Sequence, residues 1–207
     1  MLIDARKTKE PTRILAFDTS AAHCAAALLC DGKVTLKFEP MAKGQAERLM
    51  SLLEEMLAEA AVGWADLCAI GVGTGPGNFT GVRISVAAAR GLALGLGIPA
   101  IGVTALEAAA FGALLPATVV LDARRDEVYV QSFTDHGAGP ARMIAAVKRP
   151  DGPVIGFGGI APIYPIAEAI ARVTSMRLTT PQPRPAPFYL RGADAAPPTD
   201  PPPVILP

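Results

Sequence analysis

The first half of the chain alternates short apolar runs with longer stretches of helical periodicity. Apolar runs at residues 13–19, 23–29 and 33–39 predict three strands. Asp31 and Gly32 separate the last two runs, and Asp-Gly is a favoured two-residue hairpin turn. Further along, the same patterns predict helix 44–61, strand 67–72, helix 80–95, strand 99–103 and helix 104–114.

The helix predicted at 44–61 has a broader apolar face than a helix on the surface of one domain requires. The apolar side chains that spread over nearly half of its circumference are Leu49, Met50, Leu52, Leu53, Met56, Leu57 and Ala60. Two interpretations stay open. Either a loop or second domain covers part of this face, or a partner chain packs on it.

The order of the elements predicts an α/β fold with two lobes. The first three strands can pair antiparallel, whereas the later ones must cross over through helices, which gives a mixed sheet flanked by helices. From residue 117 the apolar runs repeat this opening in shortened form, with Asp122 in the place of Asp18. The predicted units are a loose extension (1–12), a first lobe (13–115), a reduced second lobe (116–180) and an extended or disordered proline-rich tail (181–207).

Residues 71–83 are the most distinctive stretch, with alternating glycines between a predicted strand and a predicted helix. Thr80 is placed to cap that helix, and a helix start offers free amides and a positive dipole end to an anion. The stretch lacks the Lys-Ser/Thr of a P-loop and the glycine spacing of a dinucleotide fingerprint. A phosphate site and a tight turn packed against a neighbouring backbone are therefore both open.

Composition and net charge argue against several classes of protein. Hydrophobic residues make up 51% of the 207 and the net charge is zero, which predicts a folded chain without the basic surface that unaided nucleic-acid binding demands. The three cysteines lack metal-ligand spacing and the N-terminal residues lack a secretory signal, which predicts a cytoplasmic protein. Glycines and a proline interrupt the apolar window 84–103 where a helix should pass into a strand, so we predict no membrane span.

Candidate catalytic groups are few. His23 and His136 lie in different halves of the chain, so the sequence predicts no metal site. Asp18 ends the first strand, at the edge where open sheets bind ligands, and could hold a metal-bound phosphate. The alternative is a carboxylate that accepts hydrogen bonds from turn amides.

Four segments resemble the TsaB family, the tRNA threonylcarbamoyladenosine biosynthesis proteins. They are Ile-Leu-Ala-Phe-Asp-Thr-Ser (14–20), Gly-Thr-Gly-Pro-Gly-Asn-Phe-Thr-Gly-Val-Arg (73–83), Leu-Asp-Ala-Arg-Arg-Asp-Glu-Val-Tyr (121–129) and Pro-Phe-Tyr-Leu-Arg (187–191). The resemblance implies an actin-like ATPase fold with two ribonuclease-H-like lobes, the second of them reduced. One departure is Gln45-Ala46-Glu47, where relatives commonly have His-Ser-Glu.

The same resemblance implies a non-catalytic scaffold that pairs with TsaD, the subunit that transfers the threonylcarbamoyl group to the tRNA adenosine adjoining the anticodon. TsaE is the other implied partner, ATP and metal belong to the partner subunits, and tRNA binds only through the complex. TsaB-like proteins pair through first-lobe helices and can form a homodimer when alone. The expected partner contacts are Leu49, Leu52, Leu53, Met56, Leu57, Gly75, Pro76, Gly77, Asn78, Phe79, Thr80 and Arg83.

An enzymatic alternative is a small nucleotide-dependent kinase or ATPase. It would use a nucleotide-binding remnant formed by Asp18, Thr19, Gly75, Gly77 and Thr80. ATP binding by the isolated protein discriminates this alternative from the scaffold.

Overall fold

The computed structural model describes residues 12–150 and 152–190. Its first sheet contains β1 (Arg13–Asp18), β2 (His23–Cys30), β3 (Lys33–Pro40), β4 (Ala69–Gly73) and β5 (Ala100–Val103). The strand order is β3-β2-β1-β4-β5, with antiparallel pairing among the first three strands and parallel pairing of β4 with β1 and β5. This ribonuclease-H-like arrangement confirms the predicted mixed sheet and the actin-like ATPase fold.

Helices cover both faces of the first sheet. They are α1 (Gln45–Glu59), α2 (Phe79–Leu96), α3 (Ala105–Ala110) and α4 (Ile166–Arg177). Alternation along β1 sends Leu15 and Phe17 into the core under α1 and α2, and sends Ile14 and Ala16 into the core under α3 and α4. Two hydrophobic cores therefore share one sheet.

Helix α3 is shorter than the sequence pattern predicted. Thr104 caps it as expected, because its hydroxyl accepts a hydrogen bond from the amide of Glu107 at 3.1 Å. The helix ends at Ala110 rather than near residue 114. Gly112 follows with φ of +81°, a conformation that a right-handed helix cannot contain.

A smaller second sheet follows the first lobe. It contains β6 (Ala117–Arg124), β7 (Glu127–Thr134), β8 (Gly137–Ala138), β9 (Arg142–Ala145) and β10 (Ile155–Gly156). The order is β10-β6-β7-β8, and β9 also pairs with β7. Two of its strands are only two residues long, so this sheet is a reduced version of the first.

The packing of α4 differs from the domain boundaries drawn from the sequence. The sequence placed this helix in the second lobe (116–180), but Ala167, Ile170 and Val173 pack on the first sheet beside Ile14 and Ala16. Small side chains and glycine allow this close approach, since Thr174 and Ile170 fill the space in front of Gly71. By its core, α4 belongs to the first lobe.

The ends of the chain are described only in part. Of the predicted extension (1–12), residues 1–11 lie outside the described residues, and of the predicted tail, residues 191–207 do. Residues 181–190 form neither helix nor strand, as their prolines predicted. Among the helices that the structure describes, α2 alone is long and apolar enough to cross a membrane, and it connects β4 to β5 within the first lobe.

Candidate functional site

Asp18 lies at the carboxyl end of β1 and is completely buried. Its Oδ1 accepts hydrogen bonds from the Ser20 amide (3.0 Å) and the Ser20 hydroxyl (2.9 Å), and it lies 2.8 Å from Nε2 of His23. The second carboxylate oxygen, Oδ2, is buried without a hydrogen-bond partner and faces Gly73. Asp18 therefore organises the turn after β1, and this geometry favours the turn-amide interpretation over a phosphate-bound metal.

The alternating glycines pack the loop directly onto the turn 18–20. A Cβ atom at Gly77 would lie 2.3 Å from the carbonyl oxygen of Ser20, and one at Gly81 would lie 1.9 Å from that of Thr19. Real Cβ atoms do not approach so closely, so glycine is required at both positions. The amide of Asn78 also donates to the Ser20 carbonyl at 2.6 Å. Of the two open interpretations, the geometry favours the tight turn against a neighbouring backbone.

The five residues of the predicted nucleotide-binding remnant do not line an open cleft. Asp18 and Thr19 are fully buried, and the Thr19 hydroxyl donates to the carbonyl oxygen of Gly81 at 2.6 Å. Gly75 is buried as well, whereas Gly77 and Thr80 are exposed. The turn and the loop contact each other through main-chain atoms, so these five residues do not surround an open space.

The start of α2 corrects the predicted helix cap. Asn78, not Thr80, is the N-cap: its backbone is extended, and its side-chain oxygen accepts from the Gly81 amide at 2.9 Å. Thr80 instead lies in the first turn of the helix with its side chain exposed. The helix starts earlier because Asn78 places its oxygen on an amide three residues ahead.

The proline-rich segment 181–190 crosses the loop and α2. The amide of Phe188 bonds to the carbonyl of Thr74, and Pro185 packs against Gly102 at the end of β5. Tyr189 stacks on Phe79 with ring centroids 5.1 Å apart. This strap was not assigned a role from the sequence; the Pro-Phe-Tyr-Leu-Arg motif was the signal that could have located it.

Arg83 joins the strap to the exposed end of α2. Its guanidinium carbon lies 3.8 Å from the centroid of the Phe79 ring, and its Nε donates to the Tyr189 hydroxyl at 3.0 Å. Phe79 is nevertheless 46% exposed. The three side chains form a half-exposed aromatic and cationic patch beside the glycine loop.

The structure corrects the expected partner contacts on α1. Leu49, Leu52, Leu53, Met56 and Leu57 are at most 3% exposed and pack into the core with β1, β2 and α2. The first sheet itself occupies this face, rather than a loop, a second domain or a partner. Gly75 and Pro76 are buried too, so Gly77 to Thr80 and Arg83 are the expected contacts that remain exposed.

The outward side of α2 is the surface that the sequence interpretation missed. Ala87, Gly91 and Gly95 recur every fourth residue and are exposed, and a Cβ at either glycine would meet nothing within 4 Å. Leu94 stands beside them at 81% exposure. The four-residue spacing of small side chains was the sequence signal for this face.

Titratable groups outside Asp18 serve structural contacts. Among the described residues, no group of three metal-ligating side chains comes together. Burial raises the pKa of the Cys24 thiol to about 11. Arg48 binds Glu39 of β3 and Glu55 of α1, with Nη2 and Nη1 each 2.6 Å from a carboxylate oxygen, and these hydrogen bonds lower the pKa of both carboxyls.

A family model, sequence relatives and a solved structure all indicate the family of this chain. The matching family model covers residues 39–149 and is described as TsaD, tRNA N6-adenosine threonylcarbamoyltransferase. The TsaB protein of Bacillus subtilis is 33% identical over 162 residues, which are 70% of each chain. That of Escherichia coli is 38% identical over 146 residues, which are 67% of this chain and 63% of the relative's length.

A solved structure extends the likeness to the fold. YeaZ from Pseudomonas aeruginosa superposes with a TM-score of 0.68 at 25% sequence identity, over 86% of this chain and 100% of that one. The superposition therefore includes both lobes. With the sequence relatives, it establishes that this chain belongs to the TsaB family, the tRNA threonylcarbamoyladenosine biosynthesis proteins.

Proposed function

We propose that this protein takes part in tRNA threonylcarbamoyladenosine biosynthesis as a non-catalytic subunit, and that it pairs with a TsaD-like subunit through the exposed side of α2. The observation that carries the proposal is the unfilled space above that helix. Gly91 and Gly95 have no neighbour within 4 Å of a Cβ position, although glycine weakens a helix interior by about 1 kcal/mol relative to alanine.

Small residues at four-residue spacing favour a close approach by another helix. Ridges on a partner helix can enter the groove along Ala87, Gly91 and Gly95, because no side chain fills it. Leu94, at 81% exposure, supplies an apolar anchor beside the groove. The patch formed by Phe79, Arg83 and Tyr189 continues this surface at the other end of the helix, and such aromatic and arginine side chains are typical of interfaces.

The closed carboxyl edge of the first sheet supports a non-catalytic role. The glycine loop contacts the turn 18–20 through main-chain atoms, and the strap 181–190 covers the end of β4. The kinase or ATPase alternative requires Asp18 to reach a metal-bound phosphate, but this carboxylate is fully buried. ATP and metal then belong to the partner subunits, TsaE-like proteins among them.

The charge of the chain agrees with indirect contact to tRNA. Its 19 basic and 19 acidic residues cancel, so the chain has no excess charge with which to attract a polyanion. In this proposal the TsaD-like partner brings the tRNA and the transferring chemistry. Pairing through α2 also allows a homodimer to form through the same helix when the partner is absent.

The test compares two leucine substitutions of equal chemistry. Leu94→Arg places a charge on the outward side of α2, and Leu114→Arg places one at a site that is 92% exposed in the connection to the second lobe. Each variant is mixed with the TsaD-like protein of the same organism and analysed by size-exclusion chromatography with light scattering. The tRNA-modification activity of each mixture with the TsaE-like protein is measured in parallel.

We expect Leu94→Arg to lose both pairing and modification while Leu114→Arg keeps both. Both variants should unfold at the wild-type temperature, because neither side chain is buried. Retained pairing in Leu94→Arg would contradict the α2 surface. ATP turnover by the protein alone would contradict the non-catalytic role.

A further inference from the structure

The outer edge of the first sheet is a long strand with exposed apolar side chains. Within the described residues, β3 hydrogen-bonds only to β2, so one side of this eight-residue strand has no strand beside it. Leu36 is 42% exposed and Phe38 is 59% exposed. Such an edge is a template for pairing with another strand.

The hairpin determines which main-chain groups point outward. Asp31 and Gly32 both have positive φ and connect Cys30 to Lys33, as in a two-residue hairpin turn. In such a hairpin the residues that flank the turn form a hydrogen-bonded pair, and every second residue after them does the same. The N–H and C=O groups of Val34, Leu36 and Phe38 therefore point away from β2.

The side chains of these residues also share one face of the sheet. Val34 packs partly against the core under α4, and Phe38 lies against the His23 ring with a centroid distance of 5.2 Å. His23 is in turn fixed by its contact with Asp18. The exposed ring of Phe38 is thus held in position rather than free to turn into the core.

We propose that β3 pairs antiparallel with β3 of a second copy of this chain, around a two-fold axis at Leu36. In this register Leu36 faces Leu36 of the second copy, Val34 faces Phe38, and Lys33 faces Glu39. Apolar residues meet on one face and opposite charges meet on the other, and both kinds of cross-strand pair are stabilising. The strand is therefore complementary to itself.

Neighbouring registers lack this complementarity. A shift that places the axis at Lys37 puts two ammonium groups opposite each other and pairs Val34 with Pro40, which has no amide hydrogen to donate. A shift to Thr35 places Lys33 opposite Lys37. Like charges directly opposite are destabilising, so the axis at Leu36 is the favoured one.

The charged side chains beside the proposed β3–β3 contact are balanced within each copy. The charged side chains of β3, together with the α1 side chains that pair with them, are Lys33, Lys37, Glu39, Arg48, Glu55 and Glu59, three cations and three anions. Lys37 contacts Glu59 at 2.6 Å, and Arg48 contacts both Glu39 and Glu55. Two α1 helices that face each other across the paired strands therefore do not bring together surfaces of one charge.

This dimer does not depend on the proposed function. The edge strand β3 lies at one end of the first sheet, whereas α2 packs mainly near β4, so the two surfaces are separate. The experiment is performed in a Leu94→Arg background to exclude pairing through α2. Four chains are compared in this background: the otherwise unchanged protein, Leu36→Lys, Leu36→Glu and the control Leu114→Lys.

Sedimentation velocity and light scattering across a wide concentration range give the mass of each sample. We expect a dimer for the unchanged strand and a dissociation constant raised by about tenfold or more in either single variant. A mixture of Leu36→Lys with Leu36→Glu should restore the dimer, because the axis places the two new charges opposite each other. Leu114→Lys is the matched control and should remain dimeric.

Four results would overturn the proposal. One is a monomer at every concentration for the unchanged strand. The second is a dimer that survives both single variants, and the third is a mixture that does not recover, since either would mean a different contact. The last is a dimer that forms only after residues 1–11 are deleted, which would mean that the chain's own N-terminal segment covers the edge.

Discussion

The amide of Phe188 donates to the carbonyl oxygen of Thr74 at 2.8 Å, and this bond fastens the strap 181–190 to the loop after β4. The neighbouring Tyr189 adds a stacked contact with Phe79 and accepts a hydrogen bond from Arg83. These contacts therefore join the strap to the glycine loop and to the start of α2, which lie more than 100 residues earlier in the sequence.

Removing the Tyr189 ring should loosen the strap locally. We expect Tyr189→Ala to lower the free energy of unfolding by about 1 kcal/mol and to speed hydrogen exchange at the Phe188 amide, because the ring contact is lost. Tyr189→Phe, which keeps the ring and removes the hydroxyl, is the control and should retain most of the protection. Unchanged exchange in Tyr189→Ala would mean that the main-chain bond holds the strap without the ring.

Two glycines of α2 should respond in opposite directions to the same substitution. Gly81→Ala places a methyl group 1.9 Å from the Thr19 carbonyl oxygen and should cost about 2–4 kcal/mol, since the loop must move. Gly91→Ala meets nothing and should stabilise the helix by about 0.5–1 kcal/mol. Urea unfolding of the two variants measures both effects, and equal effects would contradict the tight packing of the loop.

Asp18 should matter for stability rather than for nucleotide chemistry. Asp18→Ala leaves the Ser20 amide and the His23 ring without their buried acceptor and should cost about 2–4 kcal/mol. Asp122→Ala is the control, because this carboxylate is exposed and accepts a local bond from the Arg124 amide. Calorimetric titration of the wild-type chain with ATP should show no binding; binding that Asp18→Ala abolishes would revive the ATPase alternative.

The buried thiol of Cys24 should make stability fall in alkaline solution. Burial raises its pKa from 9.0 to about 11, so the folded chain keeps a proton that the unfolded chain releases. This contribution is fully present below pH 9 and is lost as the pH rises towards about 11. Unfolding measured across that range should show a steeper loss for the wild type than for Cys24→Ala.

The same burial predicts selective alkylation. At mildly alkaline pH iodoacetamide should modify the partly exposed Cys30 and Cys68 while Cys24 reacts only after unfolding. Mass spectrometry of the digested protein reports each site. Early modification of Cys24 would mean that β2 opens more readily than its burial indicates.

The spacing of apolar residues predicted the helices and strands of the first lobe, but it could not predict what packs against each of them. Five of the seven side chains in the predicted apolar face of α1 are buried, whereas Met50 is 38% exposed and Ala60 is also exposed. The spacing also cannot state whether the sheet or a partner covers this face. Leu53 and Met56 are fully buried and pack with residues of the first sheet and α2, so this face belongs to the core and not to an interface. Burial is a property of the whole fold, whereas periodicity is local.

The exposed side of α2 shows the opposite situation from α1, because its small residues face solvent and not the core. Alanines and glycines at this spacing also occur where helices pack closely inside a protein, but Gly91 and Gly95 face open space. Composition marks both situations with the same residues. The sequence predicted Thr80 as the cap of α2, but Asn78 takes this position because the loop bonds to Ser20 and places its side-chain oxygen on the Gly81 amide.

The contact of Gly77 and Gly81 with the turn after β1 limits how this chain could change by mutation. A cleft closed by side chains can be reopened by substituting them one at a time, whereas here carbonyl oxygens and α-carbons close it. Directed evolution for ATP turnover would therefore have to begin with insertions or deletions in residues 73–81, since point substitutions at these glycines only add atoms. The closure of this edge therefore lies in the main-chain path of residues 73–81, which point substitutions alone do not change.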